Sequence, residues 1–305
     1  MKYLTNLDNP LDKPSVITIG NFDGLHLGHR KLISTVKELA LAYHYESIVF
    51  SFYPHPHEVL KKDDFPGMIY SREEKRERIE ETGIDTYIEY PFTKEFASYS
   101  PEEFVVNILI EKLHAKIIVI GSNNRFGKNQ EGDVNFLKER EAKWDIKVVE
   151  ISPVLDNSLI VSSSRIREEL MKGNIEKVNE LLTLPYIISG TIVEGRKIGR
   201  QLGYPTANLL PKKDRLYPPN GVYLTKTKYK NKIYNSITNI GYNPTVNGKN
   251  RVIETYIDDF CAMVYGEKIT IEFYKWLRAE KKFSSLDELV QQLDLDVKTC
   301  REYFN

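Results

Sequence analysis

The sequence predicts an α/β protein in two parts: a doubly wound parallel-sheet domain, followed by an antiparallel β-barrel or sandwich that ends in a helix. Strand-like and helix-like segments alternate through the first 184 residues, as they do in parallel sheets. From residue 185 the segments are short, rich in β-branched residues and separated by turn signals. A chain of 305 residues is also long enough for two domains. We therefore predict domains at residues 1–184 and 185–305.

In the first part, an apolar run at residues 16–19 leads through a glycine-rich turn into residues 31–43, where apolar side chains recur at helical spacing. The prolines Pro54 and Pro56 exclude a helix directly after the second strand. Further strands are predicted at residues 47–52, 86–90, 116–120 and 146–151, and further helices at 71–81, 101–113, 134–144 and 163–171.

In the second part, strands are predicted at residues 186–193, 221–228, 232–239, 252–257 and 268–276. A serine- and acid-rich cap at residues 284–288 opens the terminal helix.

The composition argues against several classes of protein, including nucleic-acid-binding, membrane and disulfide-rich proteins. Hydrophobic residues make up 41% of the chain and charged residues 28%, which is ordinary for a globular protein, and the formal net charge is zero. No overall field attracts nucleic acid or an anionic membrane. The sequence has no apolar signal core and no run of 18 apolar residues, so we expect a cytoplasmic protein, a monomer by default. Two cysteines, Cys261 and Cys300, fit neither a zinc site nor a disulfide framework.

The turn after the first strand is the main candidate site. Its glycines allow the backbone to approach an anion, and the start of the following helix offers unpaired N–H groups to a phosphate. Two histidines add hydrogen-bond donors. Together, the glycines, the helix start and the histidines favour a nucleoside triphosphate site. The alternative is that the histidines only cap a turn. The candidate residues are Gly20, Phe22, Gly24, His26, Gly28 and His29.

Two further segments follow predicted strands, and because ligands bind at the carboxyl ends of parallel strands, they are expected in the same crevice. The first is a glycine-bounded loop, residues 121–127, with Asn123 and Arg125; the alternative is an ordinary turn. The second combines hydroxyls and guanidinium groups at a helix start. This combination favours an anion site, and the alternative is a capped helix with exposed arginines. Its members are Ser162, Ser163, Ser164, Arg165 and Arg167.

The second part begins with a basic, glycine-rich segment, residues 190–208, without a Walker A motif. Backbone N–H groups around Gly199 and Gly203, together with Lys197, can reach phosphates. Thr206 and Asn208 supply neutral oxygens that suit a Mg²⁺ ion already bound to nucleotide phosphates. The alternative is a turn at the end of a strand.

The sequence motifs described above resemble those of a known family. Residues 24–29 (Gly-Leu-His-Leu-Gly-His) with residues 162–167 (Ser-Ser-Ser-Arg-Ile-Arg) are similar to the nucleotidylyltransferase superfamily. With residues 52–56 (Phe-Tyr-Pro-His-Pro) they resemble the adenylyltransferase module of bacterial bifunctional riboflavin kinase/FAD synthetases. Residues 190–208, which contain Pro-Thr-Ala-Asn, resemble the riboflavin kinase module, and the resemblance continues through residues 239–245, 253–260 and 276–283.

The resemblance implies roles for individual residues. His26 and His29 would hold ATP phosphates, the serine-arginine segment would contact the triphosphate, and Asn123, with Arg125 and His55, would lie near the flavin. Glu254 would activate the riboflavin 5′-hydroxyl, and Arg278 would lie near the flavin unless it forms a surface ion pair with Glu280. The chain departs from the family at three positions: Asn124 replaces a usual phenylalanine, Ser164 a usual threonine and Tyr256 a frequent histidine.

The implied activity is bifunctional. The barrel would phosphorylate riboflavin to FMN, and the first domain would adenylylate FMN to FAD with release of pyrophosphate. The implied cofactor is Mg²⁺, with ATP as co-substrate and riboflavin, FMN and FAD as substrates and products. Two alternatives remain open: a chain in which only the kinase half is active, and a regulator that senses flavin without turnover.

Overall fold

The computed structural model describes residues 1–60, 65–195, 198–245, 248–262 and 264–305. The chain forms two compact units, residues 1–66 with 72–163 and residues 67–71 with 164–305. The predicted domain boundary between residues 184 and 185 stays a prediction, because a compact unit is defined by packing and not by function.

The first unit is built on a six-stranded parallel sheet, as predicted. Its strands run in the order β1-β4-β3-β2-β5-β6, and every neighbouring pair is parallel. The first strand is only three residues long, too short to show periodicity in the sequence. The strands are β1 Lys2–Leu4, β2 Ser15–Ile19, β3 Glu46–Tyr53, β4 Thr86–Pro91, β5 Ala115–Gly121 and β6 Lys147–Ile151.

Apolar cores on both faces confirm the doubly wound arrangement. On one face, Ile33 of α1 (Leu27–Tyr43) and Ile79 of α3 (Arg72–Glu80) pack against Val49. The other face is covered by the segments from Pro101 to Trp144. These are α4 Pro101–Glu103, a π-helix Phe104–Ile110, α5 Val134–Lys138 and α6 Glu141–Trp144.

Three local predictions need correction. Pro56 does not exclude a helix: it occupies the first turn of α2 (Pro56–Val59), where its missing N–H costs nothing. The helix expected at residues 101–113 widens into a π-helix, in which Leu113 N–H donates to the carbonyl of Ile108, five residues back. The helix expected at residues 134–144 is split in two at Arg140.

The second unit contains a closed antiparallel barrel, which resolves the choice between barrel and sandwich. Its strand order is β10-β13-β12-β11-β14-β9. The strands are β9 Tyr186–Val193, β10 Thr206–Leu209, β11 Gly221–Tyr229, β12 Lys232–Thr245, β13 Gly248–Ile257 and β14 Lys268–Arg278. The helices are α7 Ser163–Lys172, which begins at the last residue of the first unit, α8 Ile175–Leu182, α9 Ile198–Gln201 and α10 Leu286–Phe304. The sequence did not predict α8 or β10. A small hairpin in the first unit, β7 Leu155–Asp156 and β8 Leu159–Ile160, was also missed.

Hydroxyl groups form part of the buried barrel core. Five fully buried threonine and serine side chains on β11, β12 and β13 hydrogen-bond to one another at 2.8–3.0 Å: Thr225, Thr227, Ser236, Thr238 and Thr255. Because strand residues alternate between faces, Ile237 and Tyr256 point the other way and belong to the cluster formed with α10. The hydroxyl row fixes which residues of these strands point outward.

Candidate functional site

The sheet of the first unit changes winding direction between β2 and β5. From β2 the chain adds β3 and β4 on one side, and then β5 and β6 on the other. Ligands of doubly wound sheets bind at the carboxyl ends of the strands at such a point. A cleft of about 730 Å³ lies here, within the size range of small-molecule sites. We call it the switch-point cleft.

Two stacked histidines stand at the start of α1 and line this cleft. His26 is the N-cap, and its Nδ1 accepts the backbone N–H of His29 at 3.4 Å. A neutral His26 that accepts at Nδ1 carries its proton on Nε2. The two rings lie 3.6 Å apart between centroids and are nearly parallel at 19°. A Cβ on Gly28 would lie 3.2 Å from Cε1 of His26, so glycine keeps this ring in place.

The loop between β2 and α1 is compact because it uses left-handed backbone. Phe22, Gly24 and Leu25 have φ of 49°, 84° and 42°, and both side chains are buried. The Phe22 ring lies 5.1 Å from the His29 ring. The buried Phe22 side chain of this loop therefore packs against His29.

Two long-range hydrogen bonds bring the other predicted segments to this loop. Ser163 Oγ donates to the carbonyl of Asp23 at 2.8 Å, and Asn124 Nδ2 donates to the carbonyl of Ile19 at 2.7 Å. Asn124 thus ties the loop after β5 to the end of β2. Arg125 in the same loop forms an ion pair of 2.8 Å with Asp133.

Most of the predicted first-unit residues line the switch-point cleft. They are Gly20, Phe22, His26, Gly28, His29, Asn123, Arg125, Ser162 and Ser163. Gly24 is in the loop but does not line it. His55 is buried at the N-cap of α2, where its ring stacks on Phe65 at 4.6 Å. The nearby His57 lines the cleft instead.

The remaining predicted phosphate ligands belong to the second unit or lie outside the described residues. Ser164, Arg165 and Arg167 are part of the second unit, in which Arg167 Nε donates to the carbonyl of Gly67 at 2.9 Å. Lys197 lies outside the described residues.

The aromatic side of the switch-point cleft was not predicted from the sequence. Besides Phe22, five phenylalanines line the cleft and form its aromatic wall: Phe52, Phe92, Phe96, Phe104 and Phe126. Each alone is typical of a hydrophobic core, and only the assembled fold brings them to one surface. Such a wall suits a planar ring system, because aromatic rings pack well against one another.

In the second unit, the strand register assembles a polar group on the barrel. Asn208 of β10 lies directly opposite Glu254 of β13, and Glu254 lies directly opposite Asn239 of β12. Side chains in such pairs have Cβ atoms about 4.5–5.5 Å apart. Thr206 is two residues from Asn208 and so shares its face. The sequence pointed to Thr206, Asn208 and Glu254, but not to Asn239 as a neighbour.

Two glycines allow the preceding loop to approach this group. A Cβ on Gly195 would lie 2.4 Å from Nδ2 of Asn208, and one on Gly199 would lie 2.3 Å from the carbonyl oxygen of Tyr204. Gly203 has φ of 85°, which favours glycine at the turn. A side chain at Gly195 would therefore displace the Asn208 amide, one at Gly199 would collide with backbone, and the turn at Gly203 favours glycine.

A groove of about 560 Å³ lies between this turn and α10. Gly203, Tyr204 and Tyr256 line one side, and Lys298 and Arg301 contribute cations. The Tyr204 hydroxyl donates to Asp294, and this hydrogen bond, with burial, raises the pKa of Tyr204 to about 12. Tyr204 is therefore a neutral donor at physiological pH.

Arg278 is fixed by α10. Its guanidinium group makes three hydrogen bonds of 2.7–3.1 Å to the buried carboxylate of Asp296. The alternative prediction, an ion pair between Arg278 and Glu280, was wrong. Glu280 instead accepts a hydrogen bond from the amide of Asn220 at 3.1 Å.

Over the described ranges, no cluster of three or more histidine, cysteine, aspartate or glutamate side chains is placed to hold a metal ion. Among the helices described, none combines the length and the apolar character needed to cross a membrane.

Comparison with known proteins identifies both parts of the chain. A family model described as FAD synthetase matches residues 8–165, and one described as riboflavin kinase matches residues 182–304. Proteins named bifunctional riboflavin kinase/FMN adenylyltransferase match along nearly the whole length. The protein of Buchnera aphidicola (subsp. Acyrthosiphon pisum, strain APS) is 41% identical, covering 100% of this chain and 99% of the relative. That of Bacillus subtilis is 37% identical (95% and 93%), and that of Escherichia coli K12 is 32% identical (100% and 98%).

A solved structure covers the same length. It is described as a macrolide-efflux protein from Streptococcus pneumoniae, is 30% identical, and superimposes with a TM-score of 0.90 over 99% of each chain. This similarity confirms the fold of the chain from end to end.

Proposed function

The chain belongs to the family of bifunctional riboflavin kinase/FMN adenylyltransferases, and from this we propose that it carries out two ATP-dependent steps in succession. The barrel phosphorylates riboflavin to FMN, and the parallel-sheet unit transfers an adenylyl group from ATP to FMN to give FAD and pyrophosphate. The observation that carries the proposal is that a separate family model matches each part.

Adenylyl transfer needs alignment and charge stabilisation, and no protein nucleophile. A terminal phosphate oxygen of FMN attacks the α-phosphorus of ATP, and pyrophosphate leaves. In our proposal the first turn of α1, His26 and His29 stabilise the negative charge that develops on the phosphates. Ser162 and Ser163 line the same cleft and add hydroxyl donors. The stacked imidazoles at a helix start, facing an aromatic wall, support this assignment.

Phosphorylation of riboflavin needs a base for the hydroxyl that attacks. We assign this role to Glu254, which would orient the 5′-hydroxyl and accept its proton as the oxygen bonds to the γ-phosphorus of ATP and ADP leaves. The neighbouring amides of Asn208 and Asn239 support the assignment, because they can hold the carboxylate and the substrates in a fixed arrangement.

Residues of the barrel fit Mg²⁺ that arrives with the nucleotide. Thr206 and Asn208 present neutral oxygens on one face of β10, where Asn208 lies opposite Glu254 and Thr206 opposite Tyr256. This donor set is too weak for a protein-only site and suits an ion that is bound mainly by phosphates. We propose that Thr206 and Asn208 hold Mg²⁺, which when bound would neutralise phosphate charge.

The partners follow from these reactions. We propose that the substrates are riboflavin, FMN and ATP, that neither nucleic acid nor a membrane is a partner, and that the enzyme is cytoplasmic and by default a monomer. The zero net charge of the sequence supports the absence of a nucleic-acid partner.

The decisive experiment is to supply the purified chain with riboflavin, ATP and Mg²⁺, and to follow flavins, ADP and pyrophosphate by chromatography. We expect FMN first and FAD afterwards, with ADP and pyrophosphate in matching amounts. FMN alone would leave only the kinase. Bound flavin without ADP or pyrophosphate would support a flavin-sensing regulator and overturn the proposal.

A further inference from the structure

A buried lysine lies beneath the loop that carries the histidines. Lys75 is on α3, and only 3% of its side chain is exposed. Its ammonium group lies 3.1 Å from Ser51 Oγ, 3.5 Å from the carbonyl oxygen of Asn21 and 3.4 Å from Glu89. A lysine this deeply buried is costly unless its partners compensate for lost water.

Glu89 has partners other than Lys75. One carboxylate oxygen of Glu89 already accepts from Arg72 Nε and from the Tyr3 hydroxyl, both at 2.6 Å. The other accepts from the Tyr87 hydroxyl at 3.1 Å. Three other groups thus hydrogen-bond to Glu89, while Lys75 makes the largest contribution that lowers its pKa. What Lys75 alone adds is a cation directed at Ser51 and Asn21.

These two contacts converge on one peptide group. Ser51 Oγ donates to the Asn21 carbonyl at 3.2 Å, and Lys75 reaches the same oxygen. That carbonyl belongs to the peptide that enters Phe22, whose backbone is left-handed and whose ring lies against His29. A non-glycine residue keeps such a conformation only where its surroundings hold it.

We propose that Lys75 is a positioning residue for adenylyl transfer, which fixes the Asn21–Phe22 peptide and through Phe22 sets the place of His29 in the switch-point cleft. This inference rests on the proposed function of the first unit. Lys75 itself contacts no substrate in this scheme.

The charges around Lys75 agree with this role. Burial lowers the pKa of Lys75, while Glu89 and Asp23 oppose that effect by favouring its charged form. For Glu89, burial alone would raise the pKa, but Lys75, Tyr3 and Arg72 outweigh it and lower the pKa. Lys75 and Arg72 therefore both favour the ionised form of Glu89 beside the loop.

The test compares Lys75→Met with Lys37→Met in the full-length chain. Lys37 lies on α1 and also donates to a backbone carbonyl of the first unit, that of Thr82, which is not part of the loop between β2 and α1. FAD formation from FMN and FMN formation from riboflavin are measured separately, each per folded molecule. For Lys75→Met we expect kcat for FAD formation to fall at least tenfold, with KM for FMN changed less than twofold and the kinase step unchanged.

A merely structural role would lower stability but leave kcat per folded molecule intact. An FAD-forming kcat within twofold of the Lys37→Met value would therefore overturn the proposal. If Lys75→Met does not fold, Ser51→Ala decides: a loss of at least threefold in kcat supports the role and no loss overturns it. If the wild-type chain forms no FAD, the proposed function itself fails, which is a distinct result from an active wild type with an unimpaired Lys75 variant.

Discussion

The two units build their candidate sites in different ways. In the parallel-sheet unit, loops from distant parts of the chain meet at the ends of strands, and single hydrogen bonds such as Ser163 to Asp23 hold them together. In the barrel, neighbouring strands place Asn208, Glu254 and Asn239 side by side through register alone. The site of the parallel-sheet unit depends on hydrogen bonds between loops, and that of the barrel depends on strand pairing. Substitutions in the two sites should therefore affect the two activities differently.

The largest expected effect is on the barrel, from Glu254→Gln. Glutamine keeps the shape but is not a base, so FMN formation should fall by about 10²–10⁴-fold. FAD formation from supplied FMN should stay within twofold. The exposed Glu267→Gln is the matched control. Equal loss of both activities would show that the two sites are not independent.

His29→Ala should produce the opposite pattern. Loss of one phosphate-stabilising donor should lower FAD formation by about 10²–10³-fold, while the kinase rate is kept. His44→Asn removes a histidine from the other end of α1, where asparagine tolerates the left-handed backbone, and should change neither rate. A normal FAD-forming rate in His29→Ala would remove the histidine pair from the mechanism.

A smaller effect is expected from Gly195→Ala, which tests the close approach at the barrel. The new Cβ would push against the Asn208 amide, and a displacement of this kind should lower kinase kcat/KM by roughly tenfold. Gly266→Ala is the control, because it has φ of 81° but open space around it. If both variants lose kinase activity equally, the steric explanation fails and general barrel strain replaces it.

The smallest effect tests a loop anchor of the parallel-sheet unit. Asn124→Ala removes the hydrogen bond to the carbonyl of Ile19 and should lower the free energy of unfolding by about 1 kcal/mol. In a Trp276→Phe background, urea unfolding followed by Trp144 fluorescence reports on this unit. Asn135→Ala, an exposed amide on α5, should stay within about 0.5 kcal/mol. Equal stabilities would mean that Asn124 does not anchor the loop.

The same contrast explains how far the sequence could predict the molecule. The long strands, both folds and the histidine loop follow from periodicity, glycine placement and resemblance, because these signals are local. The short elements β1, β10 and the β7–β8 hairpin have too few residues for a pattern, and their partners in the sheets define them.

The remaining misses involve contacts between distant residues. Arg278 pairs with Asp296 on α10 rather than with the nearby Glu280, a choice made by packing. The aromatic wall of the switch-point cleft is another case, because phenylalanines from four different segments meet only after folding. For Lys197, the nucleotide-binding role remains a prediction.

The hydroxyl row inside the barrel has a consequence for how this unit can change over time. An exchange of Thr238 for valine would leave the hydroxyls of Thr225 and Thr255 without a shared neighbour. Single substitutions within the hydroxyl row are therefore destabilising. The outward-facing positions do not take part in this row, although Ile237 and Tyr256 pack in the cluster with α10 and Glu254 belongs to the proposed site. Variation in the barrel interior therefore requires several hydroxyl-bearing residues to change together, whereas an outward-facing side chain away from α10 and the proposed site can change alone.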